Sequence, residues 1–450
     1  MIDILSNLTY RRLFAAQVIA QLGTGLATIA LALLAFDLAG GRAGVVLGTA
    51  LAIKMLANVF LTPVATALVA GLSRRRVLIA MDLARAGVVL QLPFVTEVWQ
   101  IYLLIFALQA ASAVFTPTFQ AVIPDILTDE DAYTRALSLT RIAYDLESLL
   151  SPTLAALLLT VIGFHWLFGW TAVGFLVSAA LVLSVTIPQP ETGAERGGLW
   201  QRTTSGLDIY LRTPRLRGLG MLNLAVAAAG AMVIVNTVVV VRAGLGRPES
   251  DVAIAMAVFG AGSMVSAFLL PRLLERYSDR RLMIGAAWLL TAGLGALAGV
   301  APFAAPSLLW PALLVVWWVL GVGYGAVLTP SGRLLRRSAH SEDRPAVFAA
   351  QFALSHACWL ATYPLAGLLA TYTSLSVTLS VLAGLTVVGG VSALALWPRF
   401  DADVLEHTHD DLPGDHPHIA GATAQPGGYR HAHAYVIDAQ HRRWPKTAGG

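Results

Sequence analysis

The segment RIAYDLESLLSP, residues 141–152, sets Arg141, Asp145 and Glu147 in an otherwise apolar stretch. A charge at membrane depth costs a few kcal/mol or more unless it faces protein or a water-filled cavity, so such residues are functional candidates. On a helix starting near Arg135, a rise of ~1.5 Å per residue carries Asp145 and Glu147 roughly 15–18 Å in, about half of a ~30 Å hydrocarbon core. Helical spacing places Asp145 with Arg141 and Ser148, and Glu147 on a roughly opposite face with Tyr144 and Ser151. An Arg141–Asp145 pair that neutralises itself is the plain reading of the first face. Glu147 has no obvious local partner and is the better candidate for a carboxyl that takes up and releases a proton.

A second group lies near the carboxyl end, where the chain carries His407, His409, His416, His418, His431, His433 and His441. Three His-x-His pairs, two with acids alongside, form a plausible site for Ni, Co, Zn or Cu, since imidazole suits all of these metals. No fixed zinc-finger spacing is present, and histidines without a metal role are the alternative. Two further titratable groups stand in apolar spans, Lys54 in the second and His356 in QFALSHACWLATYP. His356 reads either as a packing residue or as a group that handles proton or substrate. His356 and Cys358 are two apart on a helix and point roughly opposite ways, so a shared metal is not expected.

The elements that hold these groups are membrane helices. Hydrophobic residues make up 57% and charged residues 12%, with mean hydropathy +0.70, against roughly 25% charged in a soluble domain. Apolar runs predict spans at about 13–38, 43–70, 77–96, 98–120, 135–162, 164–187, 217–241, 251–275, 282–303, 307–334, 345–371 and 374–397. The first is too long for a signal-peptide core and more follow at once. The net charge of +4 comes from arginines in short connections, where they set topology; no nucleic-acid motif accompanies them. Arg74 to Arg76, Arg280, Arg281, Arg333, Arg336 and Arg337 fall on one side, and Arg42, Arg242 and Arg247 on the other. By the positive-inside rule both termini and the basic loops are cytoplasmic. The single cysteine excludes an intrachain disulfide.

Two spans carry polar stripes: Gln17, Gln21, Thr24 and Thr28 on the first, and Gln109, Ser112, Thr116 and Gln120 on the fourth. Interhelical hydrogen bonding is one reading and a shared cavity the favoured one. Arg74, Arg75 and Arg76 follow a tight turn. Asp82 and Arg85, three apart, are expected to form a structural pair with it rather than a transport site.

Residues 188–216, with Pro188, Pro190, Gly193, Gly197 and Gly198, form a linker between halves. The halves are weak copies: Ser73, Arg75, Arg76 and Ile79 recur as Ser278, Arg280, Arg281 and Ile284, and Thr116, Pro117 and Pro152 as Thr329, Pro330 and Pro364. The expected domains are a six-helix bundle at 1–187, a cytoplasmic linker at 188–216, a second six-helix bundle at 217–398, and a cytoplasmic tail at 399–450. The tail is polar and Gly/Pro-rich and is expected to be largely disordered.

Residues 8–398 resemble a major facilitator superfamily transporter. The resemblance rests on twelve spans in two related halves, on the turns GLSRRRVLIAMDLARA and LLERYSDRRLMI, and on TPTFQAVIPDILTDEDAYTRALSL. Within that superfamily the chain is similar to a bacterial efflux branch that includes macrolide and siderophore exporters, and the tail makes it look most like the nickel exporters. The resemblance implies an all-α fold of two pseudo-symmetric six-helix bundles in the inner membrane, working by alternating access. The family's first loop usually has Gly and an Asp-Arg pair where Thr66, Ala70 and Gly71 stand here, whereas Glu275 and Arg276 keep an acid-Arg pair in the second copy. The Gly-Pro antiporter motif is reduced to Ser151 and Pro152.

The expected activity is proton-coupled export of a divalent transition metal, nickel or cobalt first, with efflux of a macrolide-type drug or siderophore as the alternative. Glu147, Asp145, Arg141, His356 and Lys54 would couple protons; Gln17, Gln21, Thr24, Gln109 and Ser112 would line the path. Arg74, Arg75, Arg76, Asp82, Arg85, Glu275, Arg276 and Arg280 would belong to the gating loops. An aromatic cavity for an organic substrate would draw on Trp317 and Tyr324. No HExxH, GxSxG or nucleotide loop supports an enzyme. No cofactor is expected beyond a transported or tail-bound Ni, Co or Zn ion. The expected partners are the bilayer, protons and a small substrate, with the protein acting as a monomer.

Overall fold

The computed structural model describes residues 2–61, 72–127, 132, 136, 139–140, 143, 150–187, 199–340, 343–399, 401, 404–409, 413, 416–419, 421–426, 428–438, 440–441 and 444–445. The helices are α1 (Leu8–Ala39), α2 (Ala43–Leu56), α3 (Arg74–Val89), α4 (Val98–Ile126), α5 (His165–Leu183) and α6 (Leu199–Arg212). They continue with α7 (Pro214–Val238), α8 (Glu249–Leu274), α9 (Asp279–Val300), α10 (Pro306–Arg336), α11 (Arg344–Tyr372) and α12 (Leu375–Leu396). Ten described segments are long and apolar enough to cross a membrane. The first, Leu8–Leu56, is α1 and α2 together. Residues 150–158 are helical, within the fifth expected span; Arg141, Asp145 and Glu147 lie outside the described residues.

Local chemistry sets the helix ends. Asn7 caps α1 by accepting from the Tyr10 N–H at 3.1 Å, Ser278 caps α9 and Ser374 caps α12, and α7 and α10 begin on prolines whose missing N–H is no loss in a first turn. Helix α1 stops at Gly40, whose φ of +53° favours glycine. Outward side chains such as Phe94, Trp99, Trp166, Phe268 and Phe303 are exposed. That is expected where the solvent is lipid, because backbone groups are satisfied within each helix and apolar surface needs no burial.

Helices α1 to α5 pack on one another, and α7 to α12 do likewise. The two sets meet chiefly where α2 runs along α11. A Cβ on Gly48 would stand 2.5 Å from the Tyr363 carbonyl and one on Gly367 2.1 Å from the Gly44 carbonyl, so glycine at 48 and 367 permits this backbone approach. These positions lie at the beginning of α2 and near the end of α11, remote from the basic turn before α3. The two sets therefore close on the side opposite the arginine-rich loops.

Residues 199–212 of the expected linker form a helix, α6, rather than a bare connection. Gly206 lies against the Ala346 backbone and the fully buried Tyr210 donates its hydroxyl to Gln351 Oε1 at 2.5 Å. Both contacts dock α6 on the start of α11.

The tail also departs from the expected disorder. Its described residues include β1 (Val404–His409), β2 (Thr423–Gln425) and β3 (Gly428–Ala434), an antiparallel sheet in the order β1-β3-β2 with His407 opposite His431 and His409 opposite Tyr429. Composition predicts disorder because it averages over residues, whereas the His-x-His pairs have the period of two that a strand needs. Leu405, Tyr435 and Ile437 are buried and continuous with the helical core. The sheet is thus folded onto the bundle.

Candidate metal centre and membrane cavity

Strand alternation decides which imidazoles meet. His407 and His409 share one face of β1, and the antiparallel register brings His431 and His433 of β3 onto the same face. His418, on the short helical turn Pro417–Ile419, and His441, after the last strand, close over them. The Nε2 atoms converge: His407 lies 3.1 Å from His409, 3.0 Å from His441 and 3.2 Å from His431, and His418 lies 3.2 Å from His441. One ligand nitrogen from each of His407, His418, His433 and His441 falls within a 4.8 Å span, as does the set His407, His409, His418 and His431. Of the seven tail histidines expected as ligands, His416 stands apart, its Nδ1 accepting from the His418 backbone N–H at 3.2 Å.

The remaining ring nitrogens fix the tautomers. Nδ1 of His407 donates to the Leu405 carbonyl at 3.1 Å, Nδ1 of His433 to the Ala434 carbonyl at 2.8 Å, and Nδ1 of His441 to Asp438 Oδ1 at 2.9 Å. Each bond leaves Nε2 as a bare lone pair pointing inward, and that of His433 is buried without a hydrogen-bond partner. The 3.0 Å approach of His407 and His441 therefore sets two lone pairs together. Such contact is repulsive unless a cation lies between them, and hydrogen bonding of the second nitrogen is how metal-binding histidines are oriented.

Titration points the same way. Burial, and then repulsion between crowded rings, lowers His407 and His418, and brings His431 to about 4. Burial also takes His441 to about 4, against the opposing pull of Asp438. For these four rings the shift favours the neutral form, the state a ligand needs. Burial acts to raise the Asp438 carboxyl, and hydrogen bonds from His441 and His340 outweigh it, leaving it below its usual value. A groove of about 770 Å³ beside the sheet, lined in part by His418, His431, His433, Asp438 and His340, gives an ion a way in.

Two acidic residues join this sheet to the helices. Asp438 Oδ2 meets His340 Nε2 at 3.1 Å, in the connection between α10 and α11. Asp401 binds Arg337 at 2.5 Å, the buried Arg215 at 3.4 Å and the Trp397 indole N–H at 2.9 Å. Arg337 continues to Asp279 at 3.2 Å, which also holds Arg333 at 2.7 Å. Glu275 and Arg276, read from the sequence as the acid-Arg pair kept in the second copy, both have exposed side chains, and Asp279 makes ion pairs at this turn. Asp279 is the helix-starting acid after the Ser278 cap, a signal that could have identified it.

The duplicated basic turns do equivalent work. Arg75 donates to the Leu183 carbonyl at the end of α5, and Arg280 to the Trp397 and Leu394 carbonyls at the end of α12, at 2.8 and 3.2 Å. Each arginine satisfies terminal carbonyls of the last helix in its half. Arg74 is half-buried and Arg76 exposed.

Within the membrane-spanning helices, Gln17, Ala20, Gln21, Thr24, Arg85, Phe115, Thr116 and Phe119 line a cavity of about 70 Å³. The structure brings the first-span stripe together with Thr116. Gln109 is buried two turns away, and Ser112 bonds its own Leu108 carbonyl at 2.9 Å. Gln17 Oε1 and both amide atoms of Gln21 have no hydrogen-bond partner. Asp82 and Arg85 form the expected pair, with Ser178 donating to Asp82 at 2.7 Å, and the Arg85 guanidinium lies 3.9 Å from the Phe115 ring centroid. The pair belongs to the cavity wall and not to the loop, because Arg85 sits three turns into α3. The cavity has room for about two waters.

His356 is half-buried, its ring tilted against that of Phe352 with centroids 3.8 Å apart, and its Nδ1 donates to the Phe352 carbonyl at 2.7 Å. Lys54, half-buried on α2, lies within electrostatic reach of it. Trp317 is fully buried and donates to Thr237 Oγ1 at 2.8 Å, so it is a packing residue, whereas Tyr324 joins Phe259, Trp359 and Tyr363 in an aromatic chain.

The model of the family described as Major Facilitator Superfamily matches residues 13–246 and 220–426. A Bacillus subtilis (strain 168) protein, described as the uncharacterized MFS-type transporter YfiS, is 25% identical over 349 residues, 75% of this chain and 81% of that one. Among solved structures, the nucleoside transporter NupG superposes with a TM-score of 0.65 at 14% identity, over 86% of this chain and 98% of that one. A bacterial homologue of the human lysosomal transporter Spinster, in an inward-facing and unoccupied conformation, gives a TM-score of 0.64 at 14% identity, over 87% and 98%.

Proposed function

The chain belongs to the Major Facilitator Superfamily, and on that premise we propose that this multi-pass secondary transporter exports a divalent transition metal, nickel or cobalt first, in exchange for protons. The observation that carries the choice of substrate is the convergence of imidazole Nε2 atoms in the tail. The tail centre reads cytoplasmic metal, and translocation runs between the two helical halves. The arginine-rich loops and both termini are assigned to the cytoplasm by the positive-inside rule. With that orientation, closure along Gly48 and Tyr363 seals the outer side and leaves an inward-open arrangement.

Glu147, with Asp145 as its alternate, holds either the proton or the cation, so that discharge of one drives movement of the other. Gln17, Gln21 and Thr24 supply polar atoms along the path, and the neutral Asp82–Arg85 pair fixes the wall without adding net charge. The test is nickel and cobalt uptake into everted vesicles under an imposed proton gradient. Gradient-dependent uptake that is lost in Glu147→Gln, with insertion intact, supports the reading; absence of uptake of either metal by inserted protein overturns it.

A second reading is favoured by the aromatic chain Phe259, Tyr324, Trp359 and Tyr363, whose neighbouring ring centroids lie 4.9–6.4 Å apart. Such surfaces suit a flat organic substrate. Under it, the same vesicles would accumulate a macrolide-type drug or a siderophore and not the metals.

A further inference from the structure

Six tail imidazoles, not four, share one centre. Among His407, His409, His418, His431, His433 and His441, ring centroids lie 4.7–5.2 Å apart for every pair but three. The exceptions are His407 with His418, His409 with His433, and His431 with His441. Six points whose separations are equal except across three opposed pairs are the vertices of an octahedron. The nitrogens obey the same figure. Neighbouring Nε2 atoms are 3.0–3.2 Å apart, and dividing an octahedral edge by √2 puts the centre about 2.1–2.3 Å from each vertex, close to the ~2.0–2.1 Å of a metal–imidazole bond. Opposed vertices would be twice that distance apart, about 4.2–4.6 Å, and the ligand atoms of the opposed His407 and His418 do fall within 4.8 Å.

We propose that the tail holds one six-coordinate, all-imidazole site for a divalent first-row ion, Ni(II) before Co(II). This rests on the reading of the tail as a metal centre and specifies its geometry and its preferred ion. A structural zinc site is almost always four-coordinate, and the six vertices here leave no tetrahedral subset set apart from the others. Nitrogen ligands of borderline softness suit late first-row ions, and the affinity order for such sites places Ni(II) above Co(II). Copper(II) prefers a tetragonal arrangement, which this near-regular octahedron does not offer. The fold explains how one ion can collect so many rings. Four come from one face of a two-stranded pair in fixed register, and two from a helical turn and a loop lying over that face. His416, outside the figure, is the internal control.

The experiment uses full-length protein in detergent micelles, loaded with Co(II) and, separately, with Ni(II). A six-coordinate site gives Co(II) a weak visible band, and X-ray absorption of the nickel form shows about six nitrogen neighbours near 2.1–2.3 Å with imidazole scattering. Substituting each of the six histidines by Ala is expected to lower nickel affinity about 10-fold or more, while His416→Ala, which removes only an acceptor for the His418 backbone N–H, lowers it far less. Intense long-wavelength Co(II) absorption with four nitrogen neighbours would overturn the proposal, as would two silent positions among the six, or no bound metal in folded protein. The unsubstituted protein supplies the spectroscopic result, so the conclusion does not depend on variants that fold. Vesicle transport is a separate readout: a six-coordinate site without metal uptake removes export alone, and uptake with a four-coordinate site removes only this inference.

Discussion

Asp438→Asn tests whether the carboxylate behind His441 orients the tail centre. The carboxylate accepts from His441 Nδ1 at 2.9 Å, from the His441 backbone N–H at 2.7 Å and from the Gln440 N–H at 2.9 Å, while its other oxygen meets His340 at 3.1 Å. Asparagine keeps the shape and one acceptor oxygen, so the turn at 438–441 is retained. What disappears is the negative charge behind His441, which makes its Nε2 a stronger donor to a cation and holds the ring in one tautomer. Loss of such an orienting partner costs about 10- to 100-fold in metal affinity, or roughly 1.4–2.7 kcal/mol. The assay is competition for Ni(II) against a chelator of known affinity, at pH 7.5, on micellar protein. A companion substitution, His340→Ala, removes the helical contact and leaves the His441 bond, so it should change affinity far less. Nickel affinity within twofold of the original protein in Asp438→Asn would refute the assigned role, and equal losses in both variants would shift the cause to docking of the sheet.

The remaining predictions concern the membrane domain and its junction with the tail. Arg85→Ala leaves the fully buried Asp82 with only Ser178, and removing one partner of a buried pair costs about 3–5 kcal/mol; thermal unfolding in detergent should show a large loss that Asp82→Asn partly restores. Gly48→Leu forces side-chain atoms against the Tyr363 carbonyl, an overpacking cost of about 1–3 kcal/mol confined to the closed side, away from the arginine-rich loops; cysteine accessibility there should rise, and unchanged labelling would count against this contact as a gate. Asp401→Ala strips a partner from both Arg215 and Arg337; limited proteolysis after residue 399 should accelerate while the helical part remains intact.

The spans were legible because runs of apolar residues long enough for a bilayer have few alternative explanations, and α8 to α12 begin and end within about three residues of the expected limits. The first-span stripe was legible for the same geometric reason, since Gln17, Gln21 and Thr24 repeat every turn and do line one cavity. Arg85 was misplaced because an i, i+3 ion pair looks alike at a loop and inside a bundle; only Phe115 and Ser178, distant in sequence, decide its depth. The tail was misread through composition. Its strand register depends on pairing across the 18 residues between His409 and Gly428, and no local propensity encodes which imidazole faces which. Asp279, Asp401 and Asp438 escaped notice because surface acids are common, and their arginine and histidine partners come from other elements.

The Asp401 junction also limits how the tail can act. Arg215 is almost wholly buried, and separating the sheet from the helices would remove its carboxylate partner. At about 3–5 kcal/mol, detached molecules would be on the order of one in a hundred to one in a few thousand. The histidine centre is therefore not a chelating arm whose reach raises the local concentration of ion at the transport path. It is fixed to the second set of helices, which in the proposed mechanism moves against the first. Under the proposed export, an ion released from it would have to diffuse through solvent to be carried, and its occupancy would reach the helices through the two junctions, Asp438 with His340 and Asp401 with Arg215 and Arg337.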